Sequence, residues 1–211
     1  MILPRIGLSR RRRLPTLCLL GGTFYPHEYI KFLPKTFGWK LVGEENDVYT
    51  LRHKNQIIKL RGGYSYLTLG EWAIWEKNYL PDFSLRGRTV LDVGAGCGET
   101  VHFYLSHGAA SVIAVESDHS SLNLLYENAE SNRWSVKVVP SCFRLGFMNF
   151  AFDFMKMDCE GCERELLKLA SDRLPFCVIE VHDEETRRQL EKKFGLRLAW
   201  KLTDTVSILK K

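Results

Sequence analysis

Two short stretches hold most of the residues that could do chemistry. The first reads Lys156-Met157-Asp158-Cys159-Glu160-Gly161-Cys162-Glu163 and the second Glu180-Val181-His182-Asp183. Carboxylates and imidazoles are the side chains that take up and release protons at a reacting centre near neutral pH. Asp158 and His182 are therefore candidate general bases, and Glu160 is a candidate for orienting an acceptor or a basic partner. Glu163 lies one turn into the following element, where a helix dipole also favours an acid. Plainer readings stand beside these: Asp158 as an N-cap and His182 as a packed ring. Lys156 interrupts an apolar run, on the face opposite Met155 and Met157, where it can pair with one of the acids. Cys159-x-x-Cys162 reads as two small buried residues, as a redox pair or as half a zinc site. Cys142 and Cys177 lack the paired spacing to complete that zinc site. A divalent ion on Asp158, Glu160 and His182 is compatible with the spacing, but the residues do not demand one and no metal is assigned.

Both stretches need to be placed. From Thr89 onward short apolar runs alternate with amphipathic ones. Strands are expected at 90–93, 112–115, 136–139, 152–157 and 176–181, with helices at 99–107, 119–130, 163–170 and 184–194. A final pair of strands, 196–202 and 205–209, is split by Thr203-Asp204. Strand–helix alternation implies a mainly parallel sheet. The helix at 99–107 should bury Val101, Tyr104 and Leu105, and that at 119–130 Leu122, Leu125, Tyr126 and Ala129, with Ser117 or Asp118 as N-cap. In such sheets ligands gather at the carboxyl ends of the strands, where the strand order reverses. That places both acidic stretches at the chemically useful edge.

The first strand of this series leads into Asp92-Val93-Gly94-Ala95-Gly96-Cys97-Gly98. Glycine at alternate positions lets a bulky ligand approach the backbone. The spacing is neither the dinucleotide fingerprint nor a phosphate-binding loop. Glu116 ends the next strand, 24 residues beyond Asp92. An acid there can accept both hydroxyls of a ribose, although it could also be a solvated strand-end residue.

These residues resemble the class I S-adenosylmethionine-dependent methyltransferases, in which a D-x-G-x-G-x-G loop cradles the methionine part of the cofactor and a carboxylate ending the second strand holds the ribose. The resemblance implies a Rossmann-like α/β sheet, mainly parallel with a C-terminal antiparallel hairpin, and S-adenosyl-L-methionine as cofactor. It implies cofactor-binding roles for Asp92, Gly94, Ala95, Gly96, Gly98, Glu116, Ser117 and Asp158. The octapeptide at 156–163 and the E-x-H at 180–182 look more narrowly like the FkbM-type methyltransferases, whose motif is K-I-D-V-E-G-A-E. The two cysteines replace its small apolar residues and leave the carboxylates intact. This likeness runs from about residue 85 to the C-terminus and implies methylation of a small-molecule hydroxyl, with Asp158, His182 and Glu160 as the catalytic set.

Charge and composition bound the alternatives. The chain has 211 residues and a net charge of +5. Residues 1–40 contain eight Lys/Arg and one acid, so the other 171 carry −2. That balance argues against a broad nucleic-acid groove on the body and leaves Arg10–Arg13 as the electrostatic handle of an RNA methyltransferase. No N/D-P-P-Y/F-like tetrapeptide follows the fourth strand. A non-catalytic protein of the same fold is the third reading. Arg10–Arg13 and the apolar stretch after it are broken by Pro15 and Thr16, unlike a signal peptide, and are too short for a membrane span. Six scattered cysteines point to a reducing, cytoplasmic setting. The expected organisation is a partly disordered basic leader over 1–40, a small α/β cap over 41–84 and the cofactor-binding domain over 85–211. In the cap a hairpin at 48–52 and 56–60 precedes a helix at 68–79, whose Leu69, Trp72, Trp75 and Tyr79 form a core-like stripe.

Overall fold

A computed structural model of the chain describes residues 17–19, 22–24, 38–61 and 75–211. The chain divides into two compact units, Met1–Ile74 and Trp75–Lys211.

In the first unit β1 (Leu17–Leu19) pairs antiparallel with β2 (Gly22–Phe24). β3 (Trp39–Glu45), β4 (Val48–His53) and β5 (Gln56–Arg61) form an antiparallel sheet in that order. The hairpin expected from sequence is β4–β5, turning at Lys54-Asn55. β3 adds a strand to it through Asn46-Asp47, both at positive φ (50° and 62°), a conformation that Asn and Asp tolerate better than other side chains. Leu51, Ile58 and Leu60 are fully buried, and Trp39 stacks on His53 at 4.7 Å. Most of the basic leader, and residues 68–74 of the expected helix, lie outside the described residues. Residues 75–79 are helical and open the second unit.

That unit is built on a seven-stranded sheet. Its strands are β6 (Thr89–Val93), β7 (Ser111–Glu116), β8 (Val136–Pro140), β9 (Phe154–Met157), β10 (Cys177–Val181), β11 (Arg197–Lys201) and β12 (Ser207–Lys210). The order is β11-β12-β10-β9-β6-β7-β8. Only β12 runs against its neighbours, pairing antiparallel with β10 and β11. β6, β9 and β10 read as almost continuous apolar runs because helices or loops cover both faces of a parallel sheet. The chain winds outward from β6 to β7 and β8, then returns to β9 on the other side of β6. The order therefore reverses between β6 and β9, the place where such sheets bind ligands.

Three α-helices connect these strands: α1 (Glu99–Ser106), α2 (His119–Asn132) and α3 (Glu184–Phe194). Asp118 caps α2 by accepting the Ser121 amide at 2.8 Å, and Asp183 caps α3 by accepting that of Thr186 at 2.8 Å. Gly195 ends α3 in the left-handed region, as a C-terminal glycine commonly does. Several expectations need correction. α1 is buried from Glu99 through Tyr104, whereas Leu105 is only half-buried, because this helix is enclosed rather than surface-lying. On α2 Tyr126 faces solvent and Leu124 takes its place inside. The segment expected as an α-helix at 163–170 is a 3-10 helix, Cys162–Lys168, followed by Leu169 in extended conformation. Among the described residues no helix is long and apolar enough to cross a membrane.

Candidate active site

The loop after β6 is locked from within. Gly94 and Ala95 both donate their amides to the Val115 carbonyl, at 2.9 and 3.2 Å. Gly96 donates to Glu116 Oε2 at 2.8 Å, and Gly98 to the Ala95 carbonyl at 2.9 Å. With its amides turned inward, the loop is not a phosphate cradle, which needs them pointing at the ligand. Gly94 has φ +75°, and a Cβ there would fall on the Asp158 carbonyl oxygen. The end of β9 thus packs against the loop exactly where the strand order reverses, and Asp158 donates its amide to the Val93 carbonyl at 3.0 Å.

Beneath the loop sits a buried ion pair. Lys156 Nζ lies 3.3 Å from Asp92 Oδ1 and donates to the Gly94 carbonyl at 2.8 Å. Thr100 Oγ1 donates to the other Asp92 oxygen at 2.6 Å. Burial works against the Lys156 charge, but Asp92, Asp158, Glu180 and Glu99 outweigh it and raise the lysine pKa. Asp92 has no exposed surface; it holds the loop and presents nothing to solvent. Glu99, under Gly96, is pushed by burial up to about 8, against hydrogen bonds from its own amide and that of Cys97. Its Oε2 is buried without a hydrogen-bond partner. In sequence Glu99 and Thr100 look like ordinary first-turn residues of a helix, and nothing there marks them as part of the site.

Glu116 is placed as expected at the end of β7, nearly buried. Its Oε1 accepts the amides of Ser117 and Asp118, each at 2.7 Å, while Oε2 accepts Gly96. The carboxylate is thereby fixed in orientation, with Oε1 filled by two amides and one lone pair of Oε2 remaining for a hydroxyl donor. Ser117 is exposed beside it.

The second cluster surrounds His182. Its Nε2 lies 3.7 Å from Asp158 Oδ1 and 3.6 Å from oxygens of both Glu160 and Glu180; its Nδ1 is 3.6 Å from Glu163. Glu163, fully buried, also accepts the amides of Gly161 (2.7 Å) and His182 (3.2 Å), which ties the turn after β9 to the end of β10. Partial burial disfavours the charged imidazole. The four facing carboxylates, Glu163 and Glu180 foremost and then Asp158 and Glu160, overcome this by favouring the protonated ring, and the His182 pKa rises to about 10. Asp158 is raised too, which makes it a stronger base: burial and the Glu180 charge raise it to about 6, against the pull of Lys156 and His182. Atoms of Asp158, Glu180 and His182 lie within 4.8 Å of one another, but His182 would have to surrender its proton to serve as a metal ligand.

Tyr79 is a further site residue that sequence does not reveal. Its hydroxyl donates to Glu180 Oε2 at 2.6 Å and lies 3.3 Å from Asp158 Oδ2. Lys210 Nζ fixes this helical segment by donating to the carbonyls of Lys77 and Leu80, both at 2.8 Å. In sequence Tyr79 is one of a stripe of aromatic residues at helical spacing, and nothing there distinguishes its hydroxyl from a ring placed for packing.

The two cysteines of the turn form a disulfide, Cys159–Cys162, with Cα atoms 5.5 Å apart. Of the three readings of this pair, bonded cysteines match the redox pair rather than two small buried residues or half a zinc site: the tight turn through Glu160 and Gly161, both at positive φ, brings the Cα atoms within bonding range.

No protein-family model matches this chain, and no curated protein does. Solved structures do match in fold. TYW2 from M. jannaschii, solved with AdoMet, superposes with a TM-score of 0.56 at 18% identity, over 81% of this chain and 86% of that one. The Pyrococcus abyssi tRNA (uracil-54, C5)-methyltransferase, solved with S-adenosyl-L-homocysteine, gives 0.54 at 16%, over 79% of this chain and 44% of the other. Precorrin-6y C5,15-methyltransferase from Geobacter metallireducens gives 0.51 at 16%, over 67% and 88%. The shared feature is the Rossmann-like sheet, mostly parallel with a C-terminal antiparallel hairpin.

Proposed function

We propose that this protein is a methyltransferase that uses S-adenosyl-L-methionine. The observation that carries this reading is the meeting of the Asp92–Gly98 loop with Asp158 at the strand-order reversal, while Glu116 stands at the end of the adjacent strand. The loop's self-satisfied amides suit a cofactor without a pyrophosphate. Two of the fold neighbours were solved with this cofactor or its demethylated product, which supports the reading.

When bound, the cofactor supplies an electrophilic methyl group. Gly94, Ala95, Gly96 and Gly98 form the floor for its methionine end, with Asp92 and Lys156 holding that floor in place. Glu116 would accept one ribose hydroxyl through the remaining lone pair of Oε2, with Ser117 exposed beside it. Asp158 takes the acceptor proton: its pKa of about 6 leaves it ionised at neutral pH yet more basic than an ordinary aspartate. His182 is a cation at that pH, so its part is to orient Asp158 and Glu160 rather than to act as base.

The acid-rich mouth, with Glu160 85% exposed, favours a small hydroxyl-bearing acceptor over a phosphate backbone, in line with the FkbM-type octapeptide. RNA is the second reading. It fits the fold at least as well, since one neighbour is a tRNA methyltransferase, and residues 1–40 carry the basic charge. A non-catalytic role is the third. Transfer of labelled methyl from S-adenosylmethionine to small hydroxyl compounds, absent in Asp158→Asn, supports the first. Labelling of RNA alone overturns it in favour of the second, and cofactor binding without transfer to either class favours the third. A cytoplasmic location goes with this reading and is likewise a proposal.

A further inference from the structure

The Cys159–Cys162 disulfide lies within the candidate active site. It closes the turn between Asp158, which packs on Gly94, and Glu163, which is tied to the amide and ring of His182. Within that turn Glu160 holds φ 51° and Gly161 φ 107°. For Glu160 this is an uncommon conformation, of the kind that persists when its surroundings impose it. Both cysteines are half-buried, so a small thiol can reach the bond. The turn bears three of the four carboxylates that face His182.

We propose that Cys159–Cys162 is a reversible redox switch on this site: the bonded form holds the 158–163 turn in its present geometry, and reduction releases it. The reaction partner is a low-mass thiol–disulfide couple. Two thiols reduce the bond in succession through a mixed disulfide. The Cys159–Cys162 S–S bond breaks, a new S–S bond joins the two small thiols, and their two protons pass to the cysteine sulfurs. Oxidised glutathione reverses the exchange. Once released, Asp158 and Glu160 lose the covalent restraint that keeps them near His182. Regulation of methyl transfer follows only if the proposed function is right, whereas the switch itself can be tested without cofactor.

The full-length protein is equilibrated with oxidised glutathione or with dithiothreitol. Alkylation and peptide mass mapping count the free thiols, and amide hydrogen exchange is read over 158–163. The expected result is a bond between Cys159 and Cys162 in the first buffer, two thiols in the second, and exchange at least about tenfold faster over the turn when reduced. Peptides from α3 should not change. The double variant Cys159→Ser/Cys162→Ser should show the reduced pattern in both buffers. A bond that never forms, one that resists dithiothreitol in the folded protein, or equal exchange in the two states overturns the proposal. Titration of both forms with S-adenosylhomocysteine separates the two claims. If exchange differs but neither form binds this ligand, the switch stands and the methyltransferase reading falls.

Discussion

Asp92 and Lys156 are register partners on the adjacent parallel strands β6 and β9, and their charged groups meet 3.3 Å apart with essentially no exposed surface. The pair spans the point where strand order reverses. One partner anchors the start of the glycine loop, and the other reaches over to the Gly94 carbonyl. Removing one charge from such a pair strands the other in a low-dielectric interior. Lys156→Met is therefore expected to cost about 3–5 kcal/mol in urea denaturation. Adding Asp92→Asn to it should restore part of the loss, a coupling that a double-mutant cycle measures directly.

Gly94 and Gly161 make a controlled comparison. Both have positive φ, but a Cβ at Gly94 collides with the Asp158 carbonyl while one at Gly161 meets nothing within 4 Å. Gly161→Ala should lose about 1–2 kcal/mol from backbone strain alone. Gly94→Ala should lose more, and it should also weaken cofactor binding by displacing Asp158 from the loop. Thermal unfolding together with ligand titration separates the two effects.

The opposed charges of Asp158 and His182 set the pH behaviour. If Asp158 is the base, transfer should rise with pH through about 6 as it ionises, and Asp158→Asn should lower the rate about 10²–10⁴-fold. The rate should show no second rise near the ordinary imidazole pKa of 6.5, because His182 stays protonated up to about 10.

The same two groups act on stability in a definite direction. His182 binds its proton more tightly folded than unfolded, so its contribution is complete below pH 6.5 and is lost as pH rises through about 10. Asp158 is also raised on folding, from 3.8 to about 6, so its part falls as pH rises across that interval. Denaturant unfolding at a series of pH values should show a decline above neutrality in the native protein that is much reduced in His182→Gln.

The parallel core was legible because β6, β7, β9 and β10 are buried on both faces and spell it out in apolar runs, while Asp118 marks the start of α2 and Gly195 the end of α3. Asp158, His182, Glu116 and the glycines could be singled out because ligand sites in such sheets gather at strand ends. What sequence concealed was tertiary. Tyr79 is distant in the chain from Glu180, and only folding brings them together. The Cys159–Cys162 bond depends on the positive φ of Glu160, which its residue type does not announce. β3 was obscured by a register shift between Leu41 and Gly43, which interrupts its alternation. Leu105 and Tyr126 were misplaced because helical periodicity identifies a face but not how far the neighbouring elements wrap around it.

The central claim is that the Asp92–Gly98 loop and Glu116 together hold S-adenosylmethionine. Calorimetric titration of the full chain with S-adenosylmethionine and S-adenosylhomocysteine, beside Glu116→Ala, tests it most directly. The account predicts micromolar binding of both ligands, weakened at least about tenfold by the substitution, as expected for the loss of about 1.4 kcal/mol or more of hydrogen bonding. A folded protein that binds neither ligand, or a Glu116→Ala variant that binds both as tightly as the native chain, would contradict it.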